Sequence, residues 1–306
     1  MTRPALLIWN PASGGGRRHA ARMPEIVRAL AAAGFDVTVQ PTTEPGHATA
    51  LAAEACRLSG CEAVFGLGGD GTLREIAVAL VGKEVPLAIL PGGTTNVLAL
   101  ALGVPANPLR AAQLYGATEV RALDVGTAAG IPFLMMVSAG VDSEVLRRAS
   151  QASKKRFGRL AVAAQALAAL RAYDAPIRAL VDGDRRVEGS FVVASNIRYY
   201  GGPFEITPRA DPLDGELDFA VFSGKGGLAM LELALDVVTG THLSRGDFAS
   251  WKGKSARLEG SGEAWVQIDG DPLRLALPIE IAVAPERLNV LLPTTTKERD
   301  GRRDRR

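Results

Sequence analysis

From residue 5 to residue 96, short apolar runs alternate with helix-patterned stretches, and that alternation leaves few folds open. Residues 5–10 carry a strand pattern, 11–16 a glycine-rich turn, and 17–33 a helical pattern ended by Gly34. The strand pattern returns at 35–40, 61–67 and 85–90, with helical patterns over 47–58 and 73–80. Strands separated by helical crossovers pair in parallel, so this region is predicted to form a parallel sheet covered by helices. In such a sheet the carboxyl ends of the strands share one edge, and ligands bind there. Three of these ends carry polar or glycine-rich turns, at 10–16, 66–72 and 91–96.

The turn Gly68-Gly69-Asp70-Gly71-Thr72 bears most on chemistry. Glycines let backbone N–H groups approach an anion, and a helix N-terminus favours negative charge. An acid inside a phosphate cradle calls for a metal ion or a lysine between them, so Asp70 points to nucleotide phosphates with Mg2+. The plainer alternative is a tight turn with an aspartate helix cap. Gly66-x-Gly68-x-x-Gly71 also matches the dinucleotide fingerprint, but that motif belongs to a first strand–helix unit and needs an acid after the next strand. Here it lies in the third unit and the next strand ends in Pro91-Gly92, so hydride transfer is disfavoured. No strand is followed by the Gly-Lys-Ser/Thr of a Walker A loop.

Beyond Asp124 the pattern changes. Segments 177–181, 190–195, 217–222, 255–259, 264–268 and 279–284 are short and β-like, punctuated by Gly, Pro and Asp, which predicts a mostly antiparallel domain. Helical patterns interrupt it at 159–173 and 226–239. The tail 294–306 is charged and poor in apolar residues, a disordered composition. Lys154-Lys155-Arg156 and Arg159 precede the apolar stretch 160–170, a pairing suited to an anionic membrane, although such helices more often pack on a sheet, as 228–238 is expected to do.

Lys and Arg total 35 against 33 Asp and Glu, a net charge of +2, so no global field selects nucleic acid. Cys56 and Cys61 form neither a disulfide framework nor a metal ribbon, which favours a reducing cytosol. The apolar stretch 5–9 is too short for a signal peptide, and no run reaches the ~20 residues needed to span a bilayer. His19, His47 and His242 have no spacing for a metal or triad, and Trp9, Trp251 and Trp265 are expected to pack.

The chain resembles the diacylglycerol kinase and sphingosine kinase superfamily through six motifs in order. Gly68–Thr72 with Glu75 is similar to its nucleotide motif, and Asn10-Pro11-Ala12-Ser13-Gly14-Gly15 to its opening turn. Thr42-Thr43-Glu44-Pro45-Gly46-His47-Ala48 and Leu90-Pro91-Gly92-Gly93-Thr94-Thr95-Asn96 resemble two further loops. Asn196 with Tyr200-Gly201-Gly202, then Pro208, Ala210 and Asp214-Gly215-Glu216-Leu217-Asp218, match a later block, and Ile268-Asp269-Gly270-Asp271 the last element.

The resemblance implies an α/β protein: a three-layer parallel-sheet nucleotide domain, 1–125, then a mostly antiparallel, sandwich-like domain, 126–293, whose last strand returns to the first. It implies an ATP- and Mg2+-dependent lipid kinase of phospholipid metabolism, cytoplasmic and transiently attached to the inner membrane face, compatible with a homodimer. Asn10, Thr42, Gly68, Gly69, Asp70, Gly71, Thr72, Glu75, Gly93, Thr94 and Asn96 would hold nucleotide. Asp124, Asp211, Asp214 and Glu216 would serve the metal sites. Asp70 would also be catalytic, and Asp269 or Asp271 would take the hydroxyl proton. An Asp-Gly hairpin is the competing reading at both 211–218 and 269–270.

Val97 stands where many members carry Asp, Arg74 where Asn is common, and Asp271 where the family has Glu. The alternatives are an NAD kinase, which shares Gly-Gly-Asp-Gly-Thr, and a silent nucleotide- or lipid-binding regulator. Diacylglycerol, sphingoid bases, ceramide, phosphatidylglycerol and polyprenyl or glycolipid alcohols all remain open as acceptors.

Overall fold

In the first part of the chain each strand pattern ends at a turn that hands over to a helix. The computed structural model describes residues 2–57, 60–140, 143 and 176–294; the helix pattern at 159–173, the basic cluster before it and the tail beyond 294 lie outside them. Strands β1 (Arg3–Trp9), β2 (Phe35–Pro41), β3 (Ala63–Gly68), β4 (Leu87–Pro91) and β5 (Thr118–Leu123) come first. Between them lie helices α1 (Gly16–Ala32), α2 (His47–Ala55), α3 (Asp70–Leu80), α4 (Val97–Ala101) and α5 (Pro108–Leu114). There follow β6 (Gly126–Ala128), β7 (Ile131–Phe133), β8 (Met136–Gly140), β9 (Ile177–Val181), β10 (Arg185–Gly189) and β11 (Phe191–Ser195). The short strands β12 (Tyr199–Tyr200) and β13 (Phe204–Glu205) pair with each other ahead of β14 (Leu217–Phe222). Helix α6 (Gly226–Thr239) and a 3-10 turn, His242–Ser244, lead to β15 (Phe248–Gly253), β16 (Ser255–Glu259), β17 (Glu263–Ile268), β18 (Asp271–Ala276) and β19 (Ile279–Val283). The last strand is β20 (Leu288–Pro293).

The chain divides into two compact units, one of residues 1–123 with 286–306 and one of residues 124–285. The first holds a six-stranded sheet in the order β2-β1-β3-β4-β20-β5. Its pairs are parallel except β20 with β5, which is antiparallel. The chain steps from β1 outward to β2 and then back past β1 to β3. With right-handed crossovers, that reversal puts α1 and α2 on opposite faces and opens a crevice where β1 and β3 diverge. Accordingly α1 packs with α5, and α2 with α3. Under α1 and α5, Phe35, Phe65 and Tyr115 stack edge to face, with ring centroids 4.9 and 5.1 Å apart.

The second unit is built of antiparallel pairs in two six-stranded sheets, β10-β9-β16-β19-β6-β7 and β15-β14-β11-β8-β17-β18. Alternate residues enter one core: Val137 and Ala139, Val192 and Ala194, Phe219 and Val221 from one sheet, Ala179 and Val181, Ala256 and Leu258, Ile279 and Ile281 from the other. Side chains two apart share a sheet face, so this period of two builds a sandwich. α6 begins and ends where the apolar pattern predicts, but it buries Leu233 and leaves Leu228, Leu231, Leu235 and Val238 exposed, so the expectation of simple packing on a sheet covers only one of its faces.

Candidate active site

Three loops meet at the β1/β3 crevice of the first unit. Asn10 N–H donates to Leu67 O at 3.1 Å, and Asn10 Nδ2 to Thr72 Oγ1 at 3.1 Å, so the turn after β1 is fastened to the start of α3. Gly92 N–H donates to Gly68 O at 2.7 Å, which extends the β3–β4 pairing into the loops. The two loops then touch main chain to main chain. A methyl group at Gly93 would lie 2.5 Å from Gly69 Cα, and one at Gly92 would lie 3.1 Å from Gly68 Cα. These glycines are therefore required by the packing of loop on loop, before any ligand is considered. Gly71 differs, because a methyl there would meet no atom within 4 Å.

Asp70 begins α3, yet its carboxylate reaches the other loop. Oδ2 accepts from Thr95 Oγ1 and Val97 N–H, and Oδ1 accepts from Leu98 N–H, each at 3.1 Å. It thus caps the amino end of α4, a variation on the helix-cap reading in which the capped helix is a different one. Asn96, in left-handed backbone at φ 49°, closes the same loop by pairing its amide with the N–H and C=O of Gly93. Thr42 joins the edge through its N–H on Trp9 O at 2.9 Å. Glu75, half-buried on α3, receives the Thr49 hydroxyl on its carbonyl.

A cleft of about 820 Å3 opens beside these loops, lined by Ser13, Gly15, Arg18, His19, Arg22 and Thr94 among others. His19 is buried with Nε2 3.1 Å from Gly92 O, while its Nδ1 and the buried Ser13 Oγ have no partner among the described residues. A buried polar atom without a partner is costly, and here two line a cleft with two arginines and glycine-rich backbone. That combination suits a polyphosphate.

In the second unit the acids form a chain of hydrogen bonds. Asp269 and Gly270, at φ 49° and 90°, make a two-residue hairpin between Ile268 and Asp271, as the Asp-Gly reading predicts. From that turn, Asp269 accepts the N–H groups of Leu134 (2.9 Å), Met135 (2.8 Å) and Met136 (3.0 Å). Asn196 Nδ2 donates to Leu134 O at 2.9 Å and to Asp124 O at 2.7 Å. The buried Asp124 in turn accepts Gly215 N–H on Oδ2 at 2.7 Å. Asp211 and Asp214 each accept an N–H two residues ahead, at 3.1 and 3.0 Å. Lys252 places its ammonium on Asp214 and 3.7 Å from Asp218. Burial pushes the Asp218 carboxyl up to about 6, with Lys252 opposing the rise. Asp271 lies exposed at the start of β18.

Residues 4–128 match the model of the diacylglycerol kinase catalytic domain, and residues 135–292 that of the YegS C-terminal NAD kinase beta sandwich-like domain. A protein named "Diacylglycerol kinase" from Mycobacterium tuberculosis is 32% identical over 295 residues, covering 94% of each chain. The chain belongs to the diacylglycerol kinase family. A Pseudomonas aeruginosa relative named "Probable lipid kinase YegS-like" is 34% identical over 284 residues, 88% of this chain and 90% of its own. A solved diacylglycerol kinase structure from Bacillus anthracis covers 96% of this chain and 98% of its own at 25% identity and TM-score 0.69. Another solved structure from that organism reaches TM-score 0.77 at 29% identity over 96% of each.

Set in the diacylglycerol kinase family, the two site regions differ in how well they suit a cofactor. The first-unit cleft fits nucleotide phosphates. The acids of the second unit do not form a carboxylate cage: among the described residues no three His, Cys, Asp or Glu side chains converge to hold a metal ion. The Asp211–Asp218 loop instead carries an ammonium, from Lys252. Nothing in the sequence marks Lys252, because its link to Asp218 is a cross-strand pairing of β15 with β14, 34 residues away along the chain. Asn196 was visible as a motif residue, but its place between Asp124 and Leu134 depends on the turn after β11.

Proposed function

We propose that this diacylglycerol kinase family member transfers the γ-phosphate of ATP to the hydroxyl of a lipid alcohol. The observation that carries this reading is the interlocking of three glycine-rich loops at the β1/β3 crevice, beside a cleft holding Arg18, Arg22 and the unpartnered Ser13 Oγ and His19 Nδ1. Phosphoryl transfer asks for positioning and charge neutralisation more than for covalent chemistry. The two arginines and the N–H groups at the start of α3 supply both, with Asp70 and Asn96 fixing the loops that present them. We assign Mg2+ to the nucleotide's own phosphates, the usual mode for this ion. Asp269 orders residues 134–136, and the Asp269–Asp271 turn offers the carboxylate that accepts the hydroxyl proton.

The relatives' names support diacylglycerol as the first acceptor to try. Purified protein, γ-labelled ATP and Mg2+ are incubated with diacylglycerol, a sphingoid base, ceramide and phosphatidylglycerol in detergent, with NAD in parallel. Label in a lipid product is expected. Label on NAD alone, or on nothing under several divalent ions, overturns the reading.

A further inference from the structure

Helix α6 is apolar on two opposite sides. Leu233 is 4% exposed and faces the fold, whereas Leu228 is 72%, Leu235 58%, Val238 58% and Leu231 45% exposed. At 100° per residue these four fall within one quarter of the helix circumference, directly across from Leu233. The helix packs on β13 and on the His242–Ser244 turn, and each of those also exposes one large apolar side chain, Phe204 and Leu243. The acids of the helix are held to one side: Arg245 binds Asp236 at 2.6 Å and Glu232 at 3.7 Å, and is itself fixed by Asp247 at 2.7 Å. The exposed row therefore carries no charge of its own.

We propose that this face of α6 is where the protein docks on a lipid bilayer, lying flat with its leucines among the acyl chains. Six side chains at most are too few for a stable second copy, since a standard interface buries ~800 Å2 and ~20–30 residues on each side. A helix entering the headgroup boundary needs only a shallow apolar stripe. Arg245 draws Glu232 and Asp236 to the flank of the helix and offsets part of their charge, so the row that meets the lipid is itself uncharged and its binding is driven by apolar contact. Binding here is apolar, so it depends weakly on salt. The proposal deepens the lipid-kinase reading by giving that reaction a route to a membrane-borne acceptor.

The test is co-sedimentation of the full chain with vesicles of phosphatidylcholine alone and of equal parts phosphatidylcholine and phosphatidylglycerol. It is run at ~0.1 M and ~1 M salt, where the Debye length falls from ~10 Å to ~3 Å. The wild type is expected to sediment with both vesicles at both salts. Leu228→Gln with Leu235→Gln is expected to lose at least about tenfold in vesicle affinity, from the apolar area no longer buried, while keeping its melting temperature. Three results overturn the proposal: variant binding equal to wild type, binding that vanishes at high salt, or a dimer that the variant splits without change in vesicle binding. A lowered melting temperature with unchanged vesicle binding also overturns it, because the row then packs on this chain. Transfer to a short-chain, water-soluble diacylglycerol needs no bilayer, so it reports on the kinase reading separately and is expected to be unchanged in the variant.

Discussion

Glycines of the two facing loops have opposite demands placed on them. Gly93 faces Gly69 Cα, so Gly93→Ala must push two main chains apart and is expected to cost about 1–3 kcal/mol, read from urea unfolding. Gly71 faces open space, and its alanine variant is expected to melt like the wild type. If phosphate lies against that N–H, Gly71→Ala raises the KM for ATP several-fold with stability unchanged; an unaltered KM would place the nucleotide elsewhere. Asp218 makes a pH prediction. Its folded pKa of about 6 lies above the ordinary carboxylate value, so the folded chain holds this proton more tightly than the unfolded one. The group favours folding at low pH and ceases to do so as pH rises from the unfolded value to about 6. Asp218→Asn should therefore flatten the change in urea midpoint between about pH 4.5 and 7. Asp236 and Asp247, which Arg245 holds below the ordinary range, act only in more acid solution and do not share that window.

At the scale of elements, Tyr115 repairs a gap in the first sheet. Among the described residues β20 pairs with β4 only at Leu87 and Ala88, which leaves Ile89 without a strand partner on that side. The buried Tyr115 hydroxyl accepts Ile89 N–H at 2.8 Å and donates to Ile89 O at 2.9 Å. Tyr115→Phe keeps the ring but leaves both groups bare, at an expected cost of about 1–3 kcal/mol in unfolding free energy. Elements like this mark where the sequence stops being legible. The βα units were readable to within two or three residues at most ends, because buried parallel strands are continuous apolar runs closed by glycine turns. The sequence does not mark β5 to β8, the two-residue strands β12 and β13, or β10, β15 and β18. Arg185–Gly189 and Asp271–Ala276 lie at sheet edges, where exposed faces carry charge and blur the alternation, and Phe248–Gly253 mixes Ser, Trp and Lys in one run. Of the site, the glycine loops were legible as motifs. Which partner each acid takes was not, because Asp70 on α4 and Asp269 on residues 134–136 are contacts across 27 and 135 residues that no spacing encodes.

At the scale of the whole molecule, the family match covers both units, and among the described residues no helix is long and apolar enough to cross a membrane. The first unit is not a continuous segment. β20, which follows the whole second unit in sequence, lies between β4 and β5 and bonds to both. Residues 1–125 expressed alone should leave β4 as an apolar open edge and β5 without a neighbour, and are expected to aggregate. The same segment joined by a short linker to residues 286–294 should stay monomeric with native-like circular dichroism; equal behaviour of the two fragments would show that β20 is dispensable. Placing β20 inside the sheet also sets an order of events during synthesis. The nucleotide unit begins to emerge from the ribosome first but must wait for residues 288–293 before its sheet can close, while the sandwich has its full complement of strands by residue 285. The half that carries the glycine loops is thus the later of the two to mature, and a chain interrupted between residues 285 and 288 has a complete sandwich and no finished nucleotide sheet.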